Sequence, residues 1–209
     1  MVRPRQFDLD DALGRATELF RHKGFVACSV DDLVQATGLS RSSLYSTFGN
    51  KEQLFLGVLD RYRAEMMARL VPDADAVPAV ALEGFLFDLL DALETWGEHA
   101  GCLITTTCSE FTNTPESIQQ SCTLGLRQQE DQLRGYLQGA VRRGDLPEDA
   151  EVQQLAAYFV AMRQSVGLLW RAGQPRDKLA EIIRASLRAL PAPPPAPAPA
   201  RRRTATGRR

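Results

Sequence analysis

The segment 37–52, TGLSRSSLYSTFGNKE, concentrates the side chains of this sequence that are best suited to binding a polyanion. Its hydroxyl groups can donate hydrogen bonds to phosphate oxygens, and its arginine can pair with a phosphate or with the edge of a guanine. Lys51 starts a predicted helix, where its charge opposes the helix dipole, and a bound phosphate would explain that placement. The segment therefore predicts a nucleic-acid contact. Two short core helices with a polar exterior are the alternative.

The cysteines are the second group with chemical potential, and they lie at positions 28, 102, 108 and 122 without any C-x-x-C spacing. Cys102 follows a glycine at the predicted start of a helix, where amide dipoles favour the thiolate that electrophiles and oxidants attack. A small, buried and unreactive thiol is the alternative. His22 and His99 fall in no ligand spacing with the cysteines, so we expect no metal site and no cofactor.

The motifs of common enzyme classes are missing from the sequence. It contains no glycine-rich phosphate loop, no G-x-S-x-G and no H-E-x-x-H, and its two histidines are far apart. We therefore expect a protein that is not an enzyme. A purely architectural DNA-binding protein is a further alternative, although a mere spacer would not need five helices over residues 79–190.

Composition and charge are compatible with a globular protein that binds DNA. The chain has 209 residues, of which 44% are hydrophobic and 24% charged. Its net charge of −1 combines nine basic and eight acidic residues in 1–63, eleven and eighteen in 64–190, and five and none in 191–209. No apolar run approaches the ~18 residues of a membrane span. The N-terminus shows no secretory pattern, so we expect a cytoplasmic protein without a membrane partner.

Helical periodicity runs through most of the chain and predicts an all-α fold of about nine helices. Asp8 is the predicted cap of a first helix that ends near Gly24. Ser29 caps the second, with Asp32 positioned to reach back to it, and Gly38 ends that helix. The third helix is predicted from a Ser40 cap to Phe48, and the fourth begins after Asn50 with Gln53 in a capping-box-like position.

The third helix explains the polar segment. Leu44 and Phe48 are four residues apart and share an inward face, whereas Ser42 and Ser46 point away from it and Tyr45 lies between the two directions. Two short helices joined by a glycine turn form a helix-turn-helix, whose second helix enters the DNA major groove.

The proline-rich segment 71–78 predicts a boundary, and a larger helical unit follows it. Its helices are predicted at about 79–98, 101–111, 148–171 and 175–190, with a long helix from Pro115, capped by Thr114, to Arg143. The apolar stripes of the last two helices are wide enough for a second subunit; they comprise Tyr158, Met162, Val166, Leu169, Ile182, Ile183 and Leu187. Residues 191–209 are rich in Pro, Ala and Arg and are predicted to be a disordered tail.

The run from Ser29 to Tyr62 resembles the DNA-binding segment of the TetR/AcrR family of one-component repressors, and LY-x-x-F-x-x-K-E-x-L at 44–54 is its most specific part. The resemblance implies a helix-turn-helix DNA-binding domain at 1–63 and a ligand-binding and dimerisation domain at 64–190. It implies DNA contacts by Ser29, Ser40, Arg41, Ser42, Tyr45, Ser46, Thr47 and Lys51. The small Ser46 and Thr47 depart from the histidine or aromatic residue that often follows the tyrosine, so part of the readout is expected through DNA shape.

The resemblance also implies a homodimer that is released from a double-stranded palindromic operator by a small-molecule inducer. The large apolar residues of the second domain are candidates to line the inducer cavity, with plain core packing as the alternative. These candidates, with the cysteine, are Phe85, Leu89, Trp96, Cys102, Phe111, Tyr158, Met162 and Trp170. A second interpretation is a repressor that responds to electrophiles or oxidants through Cys102, because the GCL segment resembles that of the thiol-based members.

Overall fold

The computed structural model describes residues 9–69, 75–97 and 100–193. Within these ranges the chain forms nine α-helices and no β-strand, which confirms the predicted all-α fold. The helices are α1 (Leu9–Lys23), α2 (Val30–Thr37), α3 (Arg41–Phe48), α4 (Lys51–Arg69), α5 (Pro78–Trp96), α6 (Leu103–Ser109), α7 (Glu116–Arg143), α8 (Val152–Arg171) and α9 (Arg176–Ser186), with 3-10 turns at Phe111–Asn113 and Leu187–Ala189. The predicted Asp8 cap, His99 and residues 194–209 of the predicted tail lie outside the described residues.

An aromatic cluster holds α1 and α4 together in the N-terminal unit. The rings of Phe20 and Phe55 meet edge to face with centroids 4.6 Å apart, and Phe25 packs at 5.0 Å on Phe55. Each ring is buried, which contributes roughly 1.5–3 kcal/mol per side chain. Leu9, the first residue of α1, is half exposed although it is apolar.

Local capping fixes α2 and the turn into α3. The Ser29 hydroxyl accepts a hydrogen bond from the Asp32 amide at 3.1 Å, while the Asp32 carboxylate accepts from the Ser29 amide at 2.9 Å. Gly38 ends α2 at φ +72°, a left-handed conformation that glycine adopts without strain. Ser40 then caps α3 by accepting from the Ser43 amide at 3.0 Å. These observations confirm the predicted helix-turn-helix start and end points.

The larger unit is built around α8, which packs against both α5 and α7. Several helix boundaries differ from the sequence expectation. Pro115 has extended backbone angles and caps α7 itself, so that helix begins at Glu116 and not at the proline. The turn 147–150 delays α8 to Val152, and α9 gives way to a 3-10 turn after Ser186.

Asp32 makes the α2 cap sensitive to acid. The hydrogen bond from Lys23, followed by those from Ser29, holds the pKa of Asp32 at about 2, below the value of about 3.9 in an unfolded chain. Because the folded pKa is depressed, the stabilisation is fully present above about pH 4 and is lost as the pH falls towards 2. We predict that Asp32→Asn lowers the thermal unfolding midpoint at pH 5, and that the difference from wild type shrinks at pH 2.5. An equal difference at both pH values would contradict the assignment.

Candidate nucleic-acid interface

Helix α3 presents a polar face to solvent while one leucine anchors it. Leu44 is fully buried and Phe48 partly so. Tyr45 is 40% exposed, although it is a large aromatic side chain without a ring partner on the described surface. The predicted contact residues Ser29, Ser40, Arg41, Ser42, Tyr45, Ser46 and Thr47 are all exposed. The structure therefore brings the α3 members of the predicted set together on accessible surface, and their DNA contacts stay a prediction.

The hydroxyls at the start of α3 are ordered by one another. The Ser40 hydroxyl lies 2.9 Å from the Ser42 hydroxyl and 2.8 Å from that of Ser43. Ser46 donates to the Ser43 carbonyl at 3.1 Å. The Ser42 and Ser46 hydroxyls retain acceptor or donor capacity, since a serine oxygen can take part in up to three hydrogen bonds, whereas the Ser40 hydroxyl already makes three.

An acidic residue that the sequence analysis did not single out lies beside this face. The Arg41 guanidinium donates to the Asp31 carboxylate at 2.6 Å, and this hydrogen bond raises the pKa of Arg41 above its ordinary value. Both side chains are more than half exposed. Asp31 therefore ties α3 to the first turn of α2 and competes with a phosphate for Arg41.

Lys51 has a structural role that its sequence position did not indicate. Its ammonium donates to the carbonyls of Phe25 at 2.9 Å and Cys28 at 2.8 Å, and it lies 4.3 Å from the centre of the Phe25 ring. These contacts close the turn between α1 and α2. A lysine ammonium has three donors, so a third remains for the predicted phosphate.

Glu110, which directly follows α6 in the larger unit, binds the same turn. Its carboxylate accepts hydrogen bonds from the amides of Phe25 at 2.8 Å and Val26 at 3.2 Å. Gly24 makes room for it, because a β-carbon there would lie 2.1 Å from the Glu110 Oε1 atom, and its φ of +77° also favours glycine. We call this set of contacts by Glu110 and Lys51 on residues 24–28 the turn clamp.

A second contact joins the two units at the end of α1. Arg171, in the last turn of α8, donates to the carbonyls of Arg21 at 2.8 Å and His22 at 3.0 Å. The last carbonyls of a helix have no partner within it, so a cation placed there is favourable. The large unit thus supports α1 and the turn that follows it.

The predicted ligand-binding residues occupy different environments. Phe85, Leu89 and Cys102 are buried in the core, whereas Phe111, Met162 and Trp170 are only partly buried against it. Trp96 lines a cavity near α1, and Tyr158 lines a separate surface groove and is 38% exposed. Their roles in ligand binding stay predictions.

A buried polar cluster surrounds Cys102. The Tyr62 hydroxyl donates to the Cys102 sulfur at 3.5 Å, and that sulfur lies 3.7 Å from the Gln164 side-chain oxygen. The same oxygen accepts from Thr105 at 2.5 Å. Arg163 lies nearby, where burial lowers its pKa and Tyr62 and Cys102 oppose that shift. Arg163 stands among apolar residues in the sequence of α8, and this pattern could have identified a buried charge in the larger unit.

The remaining thiols differ in chemistry. Burial raises the pKa of Cys28 to about 11, which makes it a poor nucleophile. A hydrogen bond between the thiols of Cys108 and Cys122 lowers the pKa of Cys108 and raises that of Cys122. Among the residues that the structure describes, no group of three or more His, Cys, Asp or Glu side chains is placed to hold a metal ion. No described helix is long and apolar enough to cross a membrane.

Comparisons with known proteins match both units. The family "Bacterial regulatory proteins, tetR family" matches residues 12–58, and "Tetracyclin repressor-like, C-terminal domain" matches 78–186. The HTH-type transcriptional repressor ComR of Escherichia coli (strain K12) is 34% identical over 195 residues, covering 90% of this chain and 91% of ComR. A regulator from Bacillus subtilis (strain 168), YezE, is 28% identical and covers 91% of this chain and 100% of YezE.

Solved structures share the fold along most of the chain. A cysteine mutant of the TetR family regulator CifR, in complex with a 26-base-pair operator, superposes with a TM-score of 0.79 at 25% identity and covers 90% of this chain and 100% of its own. The reduced form of Escherichia coli NemR has the same fold, with a TM-score of 0.77 at 19% identity over 88% of this chain and 97% of NemR.

Substitution of Asp31 should strengthen DNA binding, whereas most substitutions in a DNA interface weaken it. Because its carboxylate occupies Arg41 and repels phosphate, we expect Asp31→Asn to tighten binding to duplex DNA by roughly two- to fivefold, as for an exposed ion pair worth up to about 1 kcal/mol. Fluorescence anisotropy at fixed salt measures this. Asp177→Asn, an exposed position in α9, is the matched control for net charge. Equal affinity of the two variants would show that Asp31 does not face the DNA.

Proposed function

Because the chain belongs to the TetR family of transcriptional regulators, we propose that it is a repressor that a small-molecule inducer releases from a palindromic operator. In this proposal residues 1–63 bind DNA, residues 64–190 bind the inducer and a second copy of the chain, and the basic tail at 191–209 adds nonspecific affinity. The protein acts in the cytoplasm, where the operator is. The observation that carries the proposal is the exposed Ser42, Tyr45 and Ser46 face of α3, with Leu44 anchored beneath it.

The turn clamp supports a route from inducer to DNA. The DNA-binding unit meets α6 of the larger unit through Glu110 at the turn that precedes α2. An inducer acts by binding more tightly to the arrangement that does not fit the operator, because equal affinity for both arrangements would shift neither. In this proposal a change in the position of α6 moves the helix-turn-helix through Glu110.

Tyr45 tests the DNA-contact assignment. The operator would first be selected from random duplexes with the wild-type protein. Tyr45→Phe removes one hydroxyl that can donate to a phosphate, so we expect roughly tenfold weaker operator binding, in line with about 1.5 kcal/mol for a hydrogen bond to a charged group. Tyr136→Phe removes the same atom from a tyrosine of α7, whose hydroxyl donates to the Ala76 carbonyl at 2.6 Å, and should bind the operator as wild type does. Equal loss in both variants, or in neither, would refute the assignment.

The proposed dimer uses an exposed stripe of α8. Tyr158 and Leu168 are exposed large apolar residues on this helix, and Leu168 is 54% exposed in the single subunit. Val166 and Ile183, which the sequence analysis assigned to the dimer face, are fully buried within the subunit. A two-fold axis along the α8 stripe would cover the exposed residues and place two α3 helices for successive major grooves.

Light scattering tests this surface. We expect wild type to have a dimer mass at micromolar concentration and Leu168→Glu to have a monomer mass, because a carboxylate in an apolar interface is costly. Leu124→Glu, at a leucine of α7 with 48% exposure, is the matched control and should remain dimeric. A monomeric wild type would contradict the proposal, and so would dissociation in the control alone.

A second candidate is a repressor that responds to electrophiles or oxidants through Cys102. The observation in its favour is geometric: the Tyr62 hydroxyl donates to the Cys102 sulfur at 3.5 Å, within a buried polar cluster at the start of α6. The Cys108 thiol, with its lowered pKa, is the competing target. Under this candidate, hypochlorite releases the operator from wild type and not from Cys102→Ser. Release that is lost only in Cys108→Ser would assign the response to Cys108, and release in none of the proteins would exclude the thiol candidate.

A further inference from the structure

A cavity of about 230 Å³ lies between α1, α4 and the end of α5. Thr17 and Arg21 line it from α1, Tyr62 and Met66 from α4, and Trp96 from the last position of α5. It therefore lies where the DNA-binding unit meets the larger unit. Pockets for drug-sized ligands measure about 300–1,000 Å³, so the volume of this one suits a smaller molecule.

Arg21 is the most unusual group in its wall. The residue is 5% exposed, and its guanidinium lies 3.7 Å from the centre of the Trp96 ring and 5.4 Å from that of Tyr62. One of its terminal nitrogens donates to Glu18. Its buried Nε atom has no acceptor among the described residues. An unmet donor on a buried cation is unfavourable, and because this atom is closed to solvent, a small shift of the Arg21 side chain is required before a ligand in the cavity supplies the acceptor.

The lining defines the chemistry of that ligand. A guanidinium edge matches the two oxygens of a carboxylate, and the stacking on Trp96 holds that edge in place. The apolar parts of Tyr62, Met66 and Trp96 offer contact for a small hydrocarbon or aromatic body. Arg61, also in the lining, pairs with Glu65 at 2.8 Å and donates to the Asp10 carbonyl at 2.8 Å, so Arg21 with its partner Glu18 is the other charged pair of the wall.

We propose that this cavity binds a small organic carboxylate on Arg21 and that the bound molecule is an effector of the protein. That the bound molecule is an effector rests on the proposed function. The cavity could affect DNA binding because α1 and α4 flank the helix-turn-helix, whereas Trp96 belongs to the larger unit. Occupancy sets the separation of these three elements. Glu18 acts as an internal competitor, since its own carboxylate occupies Arg21 from a side chain that is about half exposed.

The chain contains two tryptophans, so Trp170→Phe leaves Trp96 as the single fluorescent reporter in the cavity wall. In this background, titration with benzoate should give a saturable change in emission. Benzamide, which has the same shape without the charge, should bind at least tenfold more weakly. Arg21→Gln should abolish the benzoate response. Glu18→Gln should strengthen benzoate binding severalfold, a gain that a folding defect cannot produce.

These titrations contain no DNA, so their outcome is independent of whether the protein binds an operator. Equal binding of benzoate and benzamide, or the lack of a saturable response with a Glu18→Gln variant that is folded, would overturn the site. With the selected operator, saturating benzoate should weaken DNA binding at least threefold in wild type and leave it unchanged in Arg21→Gln. Unchanged operator affinity in wild type would overturn the effector role. Failure to select any operator would instead overturn the proposed function.

Discussion

The turn between α1 and α2 is the constraint on which the arrangement of the two units depends. The Phe25 and Val26 amides and the Phe25 and Cys28 carbonyls of this turn find partners on side chains of two other segments. Glu110 of the larger unit accepts from the Phe25 and Val26 amides, while Lys51 of α4 donates to the Phe25 and Cys28 carbonyls. A partly buried backbone group without a partner would cost about 1–3 kcal/mol, so the two side chains fix the turn and the start of α2 with it.

Helix α6 connects this turn to the interior of the larger unit. It has only seven residues, or about 10 Å of helix, with Cys102 just before its start and Glu110 just after its end. At the first end lies the polar cluster of Tyr62, Cys102 and Gln164, and at the other lies the turn clamp. A short helix that is anchored at both ends moves as a rigid unit, so a displacement at one end also displaces the other. Arg171 and the Arg21 cavity add two further contacts at the end of α1.

The sequence predicted the helix ends that local interactions determine. Ser29, Asp32, Gly38 and Ser40 act through neighbours within four residues. The structure confirms Ser29 and Ser40 as N-caps, Asp32 as the residue that reaches back to Ser29, and Gly38 as the C-cap. The apolar spacing of Leu44 also identified the inner face of α3 correctly. Pro115 was misplaced by one position, because a proline fits both the cap and the first turn of a helix and only its extended backbone distinguishes them.

What the sequence could not predict depends on contacts between distant segments. Glu110 lies about 85 positions from its partners, and no local pattern marks a glutamate that will accept from a remote turn. The pairing of Asp31 with Arg41 likewise depends on the angle between two helices. Val166 and Ile183 lie on apolar stripes wide enough for two neighbours, so periodicity alone could not separate the core from the dimer face. The sequence shows Arg163 as a charge on an apolar helix face, but it does not predict that Phe85 and Asp88 are its hydrogen-bond partners.

Amide hydrogen exchange at Phe25 and Val26 tests the central claim that Glu110 joins the two units. In wild type both amides should be protected, with an opening free energy close to that of the neighbouring core amides. Glu110→Ala should accelerate their exchange at least tenfold and lower the protection of α2, while the amides of α8 exchange as before. Unchanged protection at Phe25 and Val26 in Glu110→Ala would contradict the account, since it would mean that the turn is held without the larger unit.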